Sequence, residues 1–170
     1  MQTEFQKGQY VVYAANGVCS VEDVCKMPEL SRNDLFYVLR PASDKNSVFY
    51  IPVTSETLTA KIRTLLSKEE IDSLIDSLRG DESTWIEDRK ARMEHFRDVL
   101  RRSDPRELLL LAGTVYAQKQ RLLSIGKKLS SSDESVLRQA ESITDGEFSY
   151  VLGVEPKEVG NYILHRLSLD

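Results

Sequence analysis

Histidine, cysteine and tryptophan are nearly missing from this chain, with two, two and one copies in 170 residues. The histidines, His95 and His165, have no companion at the spacing of a metal site or a catalytic triad. Phosphate-loop and dinucleotide-binding glycine patterns are absent, and the eight glycines are scattered. Carboxylates are plentiful, but they fall at predicted helix surfaces and caps, which is a structural use. These absences argue against an enzyme and lead us to expect no metal and no cofactor. Cys19 and Cys25 are six positions apart, an even offset, on a predicted strand. That spacing points both to one face, too far apart to bond without bending the chain. They are expected to be reduced, mostly buried thiols of a cytoplasmic protein. No apolar run approaches the roughly 20 residues that span a bilayer. The opening stretch MQTEFQKGQYVVY lacks the basic start and apolar core of a signal peptide. A cytoplasmic protein that makes no membrane contact is expected. An overall basic excess is missing too: Lys and Arg number 23 against 27 Asp and Glu, a net charge of -4. The whole molecule is therefore not a basic nucleic-acid binder, although that average can hide a local patch.

What is present is enough apolar material, 41% against 29% charged, for packed globular structure. It comes in two textures, and the fold class expected is α+β. Residues 1–66 read as strands. QYVVYAANGVCSVEDVC is β-rich and broken at Asn16-Gly17, a dipeptide suited to a tight hairpin. DLFYVLRP and NSVFYIPV follow, with ASDKN as the turn between them. Four short strands predict a small bent sheet or half-open barrel. Pro52 ends a strand or sits on an edge, and residues 58–63 fit either a fifth strand or a helix start. Residues 67–170 read as a compact helical bundle. Ser67 with Glu70, Thr84 with Glu87 and Ser131 with Glu134 each have capping-box spacing. Asp104-Pro105 with Glu107 supplies a capping carboxylate and a proline at the first helical position. The predicted helices are 67–79, 85–102, 105–124, 132–150 and 156–167. The junction falls between 66 and 84, with LRGDEST (78–84) the candidate stretch.

Charge is uneven within the helical half. Eleven basic residues face four acidic ones from Arg89 to Lys128, whereas three face eight from Leu129 to Asp170. The basic stretch reads either as a solvated helix face laced with ion pairs or as a phosphate-facing surface. Trp85, the sole tryptophan, lies at its edge. With Thr84 as N-cap, Trp85 opens a helix and shares a face with Arg89 and Arg92. An aromatic at a helix tip beside two arginines suits a contact with bases and phosphates. Phe96 and Val99 continue the same stripe, so the indole fits equally well as a cap on the bundle core.

Taken together, FQKGQYVVYAANGVCSVEDV (5–24), FYVLRP (36–41) and VFYIPV (48–53) resemble the RNA polymerase-interacting module of the CarD/CdnL family of bacterial transcription regulators. A related module occurs in the bacterial transcription-repair coupling factor. STWIEDRKARME (83–94) resembles the tryptophan-bearing start of the family's helical domain, and KKLSSSDESVLRQAESITDGEFSYVLG (127–153) resembles its later helices. The resemblance implies a Tudor-like sheet, residues 1–66, that binds the polymerase β subunit through Lys26, Val48, Phe49, Tyr50, Ile51 and Pro52. It also implies a helical DNA-binding domain, residues 67–170, that meets promoter DNA at the upstream fork and stabilises the open complex. Trp85, Arg89, Lys90 and Arg92 are then the DNA-binding residues, and the protein acts as a monomer on polymerase. The rival expectation is an adaptor whose helical half recruits another protein.

Departures from the family pattern are specific. AANG (14–17) replaces a turn that usually carries Pro and His, and Ile86, Glu87 and Asp88 follow the tryptophan where relatives are often basic. Tyr50 stands where relatives use an arginine. A second basic contact falls at Lys26 or Met27.

Overall fold

The computed structural model describes residues 3–81 and 84–169. The chain divides into two compact units, Met1–Leu65 and Leu66–Asp170. The stretch 78–84 lies inside the second unit, and Glu82 and Ser83 within it fall outside the described residues. The class is α+β.

In the first unit, β1 (Tyr10–Tyr13), β2 (Val18–Lys26), β3 (Leu35–Pro41), β4 (Phe49–Pro52) and β5 (Ile62–Thr64) form one antiparallel sheet. The order is β4-β3-β2-β1-β5, so β4 and β5 are the edges. Alternation along the strands puts Val11, Tyr13, Cys19, Val21, Tyr37, Leu39, Ile51 and Ile62 on one face, where they form the core with Phe5. Phe5 meets Tyr37 edge-on at 5.7 Å. The ambiguous stretch at 58–63 resolves into both options, a one-turn helix α1 (Glu56–Thr59) followed by β5.

Two local expectations are corrected here. The register of β2 on β3 slips between Val21 and Asp23. A bulge of this kind bends the strand and reverses the alternation beyond it. Val24 therefore packs against the core, while Cys25, paired with Phe36, turns to the opposite face from Cys19. The even spacing of the two cysteines misleads because one residue is inserted between them. Burial pushes the Cys19 thiol up to about 11, so it stays protonated. The β1–β2 connection is also longer than a two-residue hairpin. Ala14–Asn16 form a 3-10 turn, and Gly17 takes φ 73° as Tyr13 N–H donates to its carbonyl at 3.0 Å.

In the second unit, α4 (Pro105–Ser124) and α5 (Ser131–Leu152) form a pair joined by a turn at Gly126. Towards the α5 N-terminus, α3 (Arg89–Arg102) adds Phe96 and Val99 to Leu108, Leu111, Val115, Val136, Leu137 and Ala140. At the other end, α2 (Lys68–Asp76) and α6 (Pro156–Leu167) gather Ile71, Ile75 and Val159 around Leu109 and Phe148. The helix starts follow from capping chemistry. Ser67 and Glu70 close their predicted box, with Glu70 N–H to Ser67 Oγ at 3.1 Å and Ser67 N–H to Glu70 Oε2 at 2.7 Å. Asp104 accepts from Glu107 N–H at 3.0 Å, ahead of Pro105. The α5 cap is Ser130 rather than Ser131, because Asp133 and not Glu134 is the residue drawn back to it. Glu134 pairs instead with Lys119 at 2.8 Å.

Candidate functional site

The largest departure from expectation lies at Trp85. The helix opens at Arg89, not at Trp85, and its N-cap is Asp88, whose Oδ2 accepts from Ala91 N–H at 2.8 Å. An aspartate caps more strongly than a threonine. Residues 84–87 are thereby left as an irregular lead-in, and the shared helical face of residues 85, 89 and 92 does not form.

Arg92 organises this lead-in. Its side chain is only 8% exposed, and its guanidinium meets both oxygens of Asp133, at 3.0 and 3.2 Å. Its remaining nitrogen donates to the Ile86 and Glu87 carbonyls at 2.9 and 3.1 Å. The same cation lies 4.5 Å from the Trp85 ring centroid. Phe96 holds the indole from a second side, edge-on at 6.3 Å. Asp133 is in turn tied to the α5 cap by Ser130 Oγ, which donates to it at 2.6 Å. A planar fork suits this multiple attachment in a way a lysine would not.

Two consequences follow. Arg92 is not placed to hold phosphate, because four of its five N–H donors are engaged and its charge is buried with Asp133; its assignment as a DNA-binding residue is corrected to a brace. Trp85 is neither sealed in the core nor free: it packs partly against the Phe96 cluster and keeps part of its surface open. Arg89 and Lys90 are exposed beside it, with Arg89 reaching Ser132 Oγ at 3.3 Å. Lys127 and Lys128, also exposed, lie in the turn that leads into the same end of α5. The sequence contained these two lysines in its basic run, but only the chain reversal at Gly126 brings them to the tryptophan end. Other members of that run are paired: Arg101 with Asp98, Arg102 with Glu107, Arg106 with Asp81 and Lys119 with Glu134. The basic run is thus an ion-paired face over much of its length and, at one end, a cluster with no ion pair among the described residues.

The second candidate surface is the β4 edge. Val53 N–H donates to Leu35 C=O at 2.8 Å, so the antiparallel alternation makes Tyr37–Ile51 and Leu39–Phe49 the hydrogen-bonded pairs. Tyr50 lies between them, and its N–H and C=O turn to the open edge. Its side chain is 45% exposed, on the face away from the core. Val48 and Pro52 flank it, half-buried. Phe49 packs on Tyr13 at 5.4 Å, and Ile51 is a core residue at 4% exposure. The assignment of the Ile51 side chain to a binding surface is corrected; strand alternation points it inward. Lys26 is exposed at the end of β2 but shares the face of Leu35, its partner, and so is not brought to Tyr50.

Residue-type reasoning missed Arg40. It lies on the outer face with Tyr50, one strand away, where it pairs with Glu22 at 2.8 Å and donates to the Lys45 carbonyl. The Glu22 carboxylate holds the Arg40 guanidinium above its ordinary pKa, so the charge is permanent. The missing signal was register: only the pairing of Val38 with Tyr50 shows that the tyrosine and the arginine are neighbours.

Among the described residues no cluster of three or more His, Cys, Asp or Glu is placed to hold a metal ion. No helix among them is long and apolar enough to cross a membrane. Residues 5–66 match the family model of the CarD-like/TRCF RID domain, which covers the whole sheet and ends at the first residue of the helical unit. No curated protein matches the chain.

Proposed function

We propose that this chain, whose residues 5–66 match the CarD-like/TRCF RID domain, is an RNA polymerase-interacting protein that docks on the polymerase β subunit through the β4 edge. From there its helical unit contacts promoter DNA at the upstream edge of the melted region and prolongs the open complex. The protein is a transcription regulator that works as a monomer on polymerase, and it is not an enzyme.

The observation that carries the DNA half is the braced, part-open Trp85 with exposed Arg89 and Lys90 beside it. A rigid indole loses little entropy on binding, and at a fork it meets bases that are already unstacked. Arg89 and Lys90 add a sequence-independent hold on phosphate that weakens with salt. Glu87 and Asp88 follow Trp85 in sequence, but Asp88 is engaged in capping α3 and its carboxylate is partly satisfied there. On the polymerase side, an edge strand with one outward N–H and C=O at Tyr50 fits main-chain strand addition, which tolerates the change from arginine to tyrosine.

The test is open-complex lifetime on a promoter template. Wild-type protein is expected to lengthen it, Trp85→Ala to abolish most of the effect, and Arg89→Ala with Lys90→Ala to flatten the salt dependence by about two phosphate contacts. Tyr50→Pro removes an outward N–H without breaking the β3–β4 ladder, and is expected to abolish polymerase binding. If Tyr50→Pro abolishes binding while the tryptophan and basic variants behave as wild type, the helical half serves as an adaptor and the DNA contact is wrong.

A further inference from the structure

In the helical unit, α4, α5 and α6, with Leu78 and Asp81, line an open groove of about 370 Å³. Its walls are mostly apolar, with Leu109, Ile163 and Leu164 among them. Two of the lining positions are helix-interior glycines, Gly113 on α4 and Gly160 on α6. Neither has the positive φ that would require glycine, and a Cβ built on either meets nothing within 4 Å. Glycine in a helix interior is unfavourable against alanine by about 1 kcal/mol. Both glycines are exposed on the wall of the groove, which they leave a methyl wider than alanine would.

Polar groups line the same space without partners. Thr144, on a residue 6% exposed, has a buried hydroxyl that makes no hydrogen bond. Buried hydroxyls are normally satisfied, so an unpaired one in a groove wall calls for an explanation. Asp145 and Glu141 sit one helical turn apart on α5. Asp145 has no ion-pair partner among the described residues, and burial with the neighbouring Glu141 pushes it up to about 6. Burial also pushes Glu141 up, against the attraction of Lys119. The third acid in the lining, Asp81, is different because it is already paired with Arg106. The groove thus holds an uncompensated negative charge at near-neutral pH, an unpaired hydroxyl and an apolar wall.

We propose that this groove binds a small organic cation with an apolar body, its protonated amine set against Asp145 and Glu141 and its hydrocarbon part laid on Leu109, Ile163 and Leu164. A cation there supplies the charge that the α5 carboxylates lack, beside an Asp145 that the surrounding helices partly desolvate. The volume falls in the range of small-ligand pockets, near its lower end. The unpaired hydroxyl and the glycine-made space favour a molecule that enters the groove over a helix that covers it. Tyr116 and Leu164, about half exposed, form an apolar lip at the mouth.

The probes are phenethylammonium, the neutral phenethyl alcohol and the anionic phenylacetate, titrated against the full chain by ligand-observed NMR at about pH 7.5. Saturable binding of the ammonium is expected, about tenfold tighter than the alcohol, with no binding of the carboxylate. Asp145→Asn should bring ammonium and alcohol to equal affinity. Gly160→Leu should exclude all three probes, and Gly160→Ala, which adds one methyl to open space, should weaken them while the protein stays folded by circular dichroism. Equal affinity of ammonium and alcohol in the wild type overturns the proposal, as does a preference that survives Asp145→Asn. Absence of saturable binding overturns it too. So does binding of a Leu/Lys amphipathic helical peptide where the amine fails, or a concentration-dependent dimer lost in Gly160→Leu, because the occupant is then a protein.

Discussion

The sheet unit and the helical unit place their proposed recognition groups by different means. At β4 the outward groups of Tyr50 belong to the main chain, and their direction follows from strand alternation alone. Changing the side chain changes little about what the edge offers. At Trp85 everything depends on side chains from distant parts of the chain: Arg92 on α3, Asp133 on α5 and the carbonyls of Ile86 and Glu87 between them. A surface made from backbone tolerates sequence drift, whereas a surface made from a buried ion pair does not. The difference also bears on stability. The sheet is held by one apolar core, and the helical unit by two apolar clusters together with the buried Arg92–Asp133 pair.

This contrast can be broken most forcefully at Arg92. Removing one partner of a buried pair strands the other charge, so Arg92→Ala should destabilise the helical unit by about 3–5 kcal/mol. Trp85, the sole tryptophan, lies in that unit and reports its urea transition by fluorescence. Hydrogen exchange of the β2 and β3 amides should remain as in the wild type. Loss of protection there would show that the units do not unfold separately. The reciprocal change is Leu39→Ala, a cavity in the sheet core beside Tyr37 and Ile51. It should cost about 2–5 kcal/mol, read by hydrogen exchange in the sheet, and leave the tryptophan transition in place.

Smaller effects sharpen the comparison within the helical unit. Ser67→Ala opens the capping box of α2 and should lower the tryptophan-reported stability by about 1 kcal/mol. Asp145→Asn should act with a sign that depends on pH. The folded protein holds the Asp145 proton up to about pH 6, and the unfolded chain releases it near the ordinary 3.8. Between those values the native state binds more protons, so this group's contribution falls as pH rises through the window. Above pH 6 the native state carries the full burden of a desolvated charge. The asparagine variant should therefore match wild type near pH 4 and exceed it at pH 8. The gain, discounted for the group's half-exposure, is about 1 kcal/mol. Asp76 and Glu134, whose basic partners hold them below their ordinary range, contribute in the opposite direction. The difference between variant and wild type is accordingly the quantity to follow, by urea titration at each pH.

Local chemistry made much of the fold legible. Ser67 with Glu70, Asp104 with Pro105, and Pro156 each mark a helix start that the structure keeps, because a cap needs only neighbours in sequence. At Thr84 the same reasoning misplaces the start of α3 by four residues. A capping box is a spacing of two side chains, and it cannot register that Asp88 caps better or that a distant arginine claims the preceding carbonyls. Cys25 shows the equivalent failure in a strand. Its face is set by a bulge at 21–23 that alternation does not encode. At the candidate site, Trp85, Arg89 and Lys90 were legible as an aromatic beside basic residues. Arg92 carried the same signal and turned out to face inward.

By itself, then, the sequence determined the class, the order of strands before helices, most helix starts and the likeness of residues 5–66 to a CarD-like/TRCF RID domain. All of these rest on contacts spanning a few residues or on patterns with a fixed period. Tertiary structure alone decided which arginine is buried, which face of β4 is open, and that Lys127 and Lys128 join Trp85 at one end of the bundle. Only there do Glu141, Thr144 and Asp145 meet the space left by Gly113 and Gly160. Charge and exposure depend on what arrives from elsewhere in the chain, and an arginine reads the same in sequence whether an aspartate forty residues on lies against it or not.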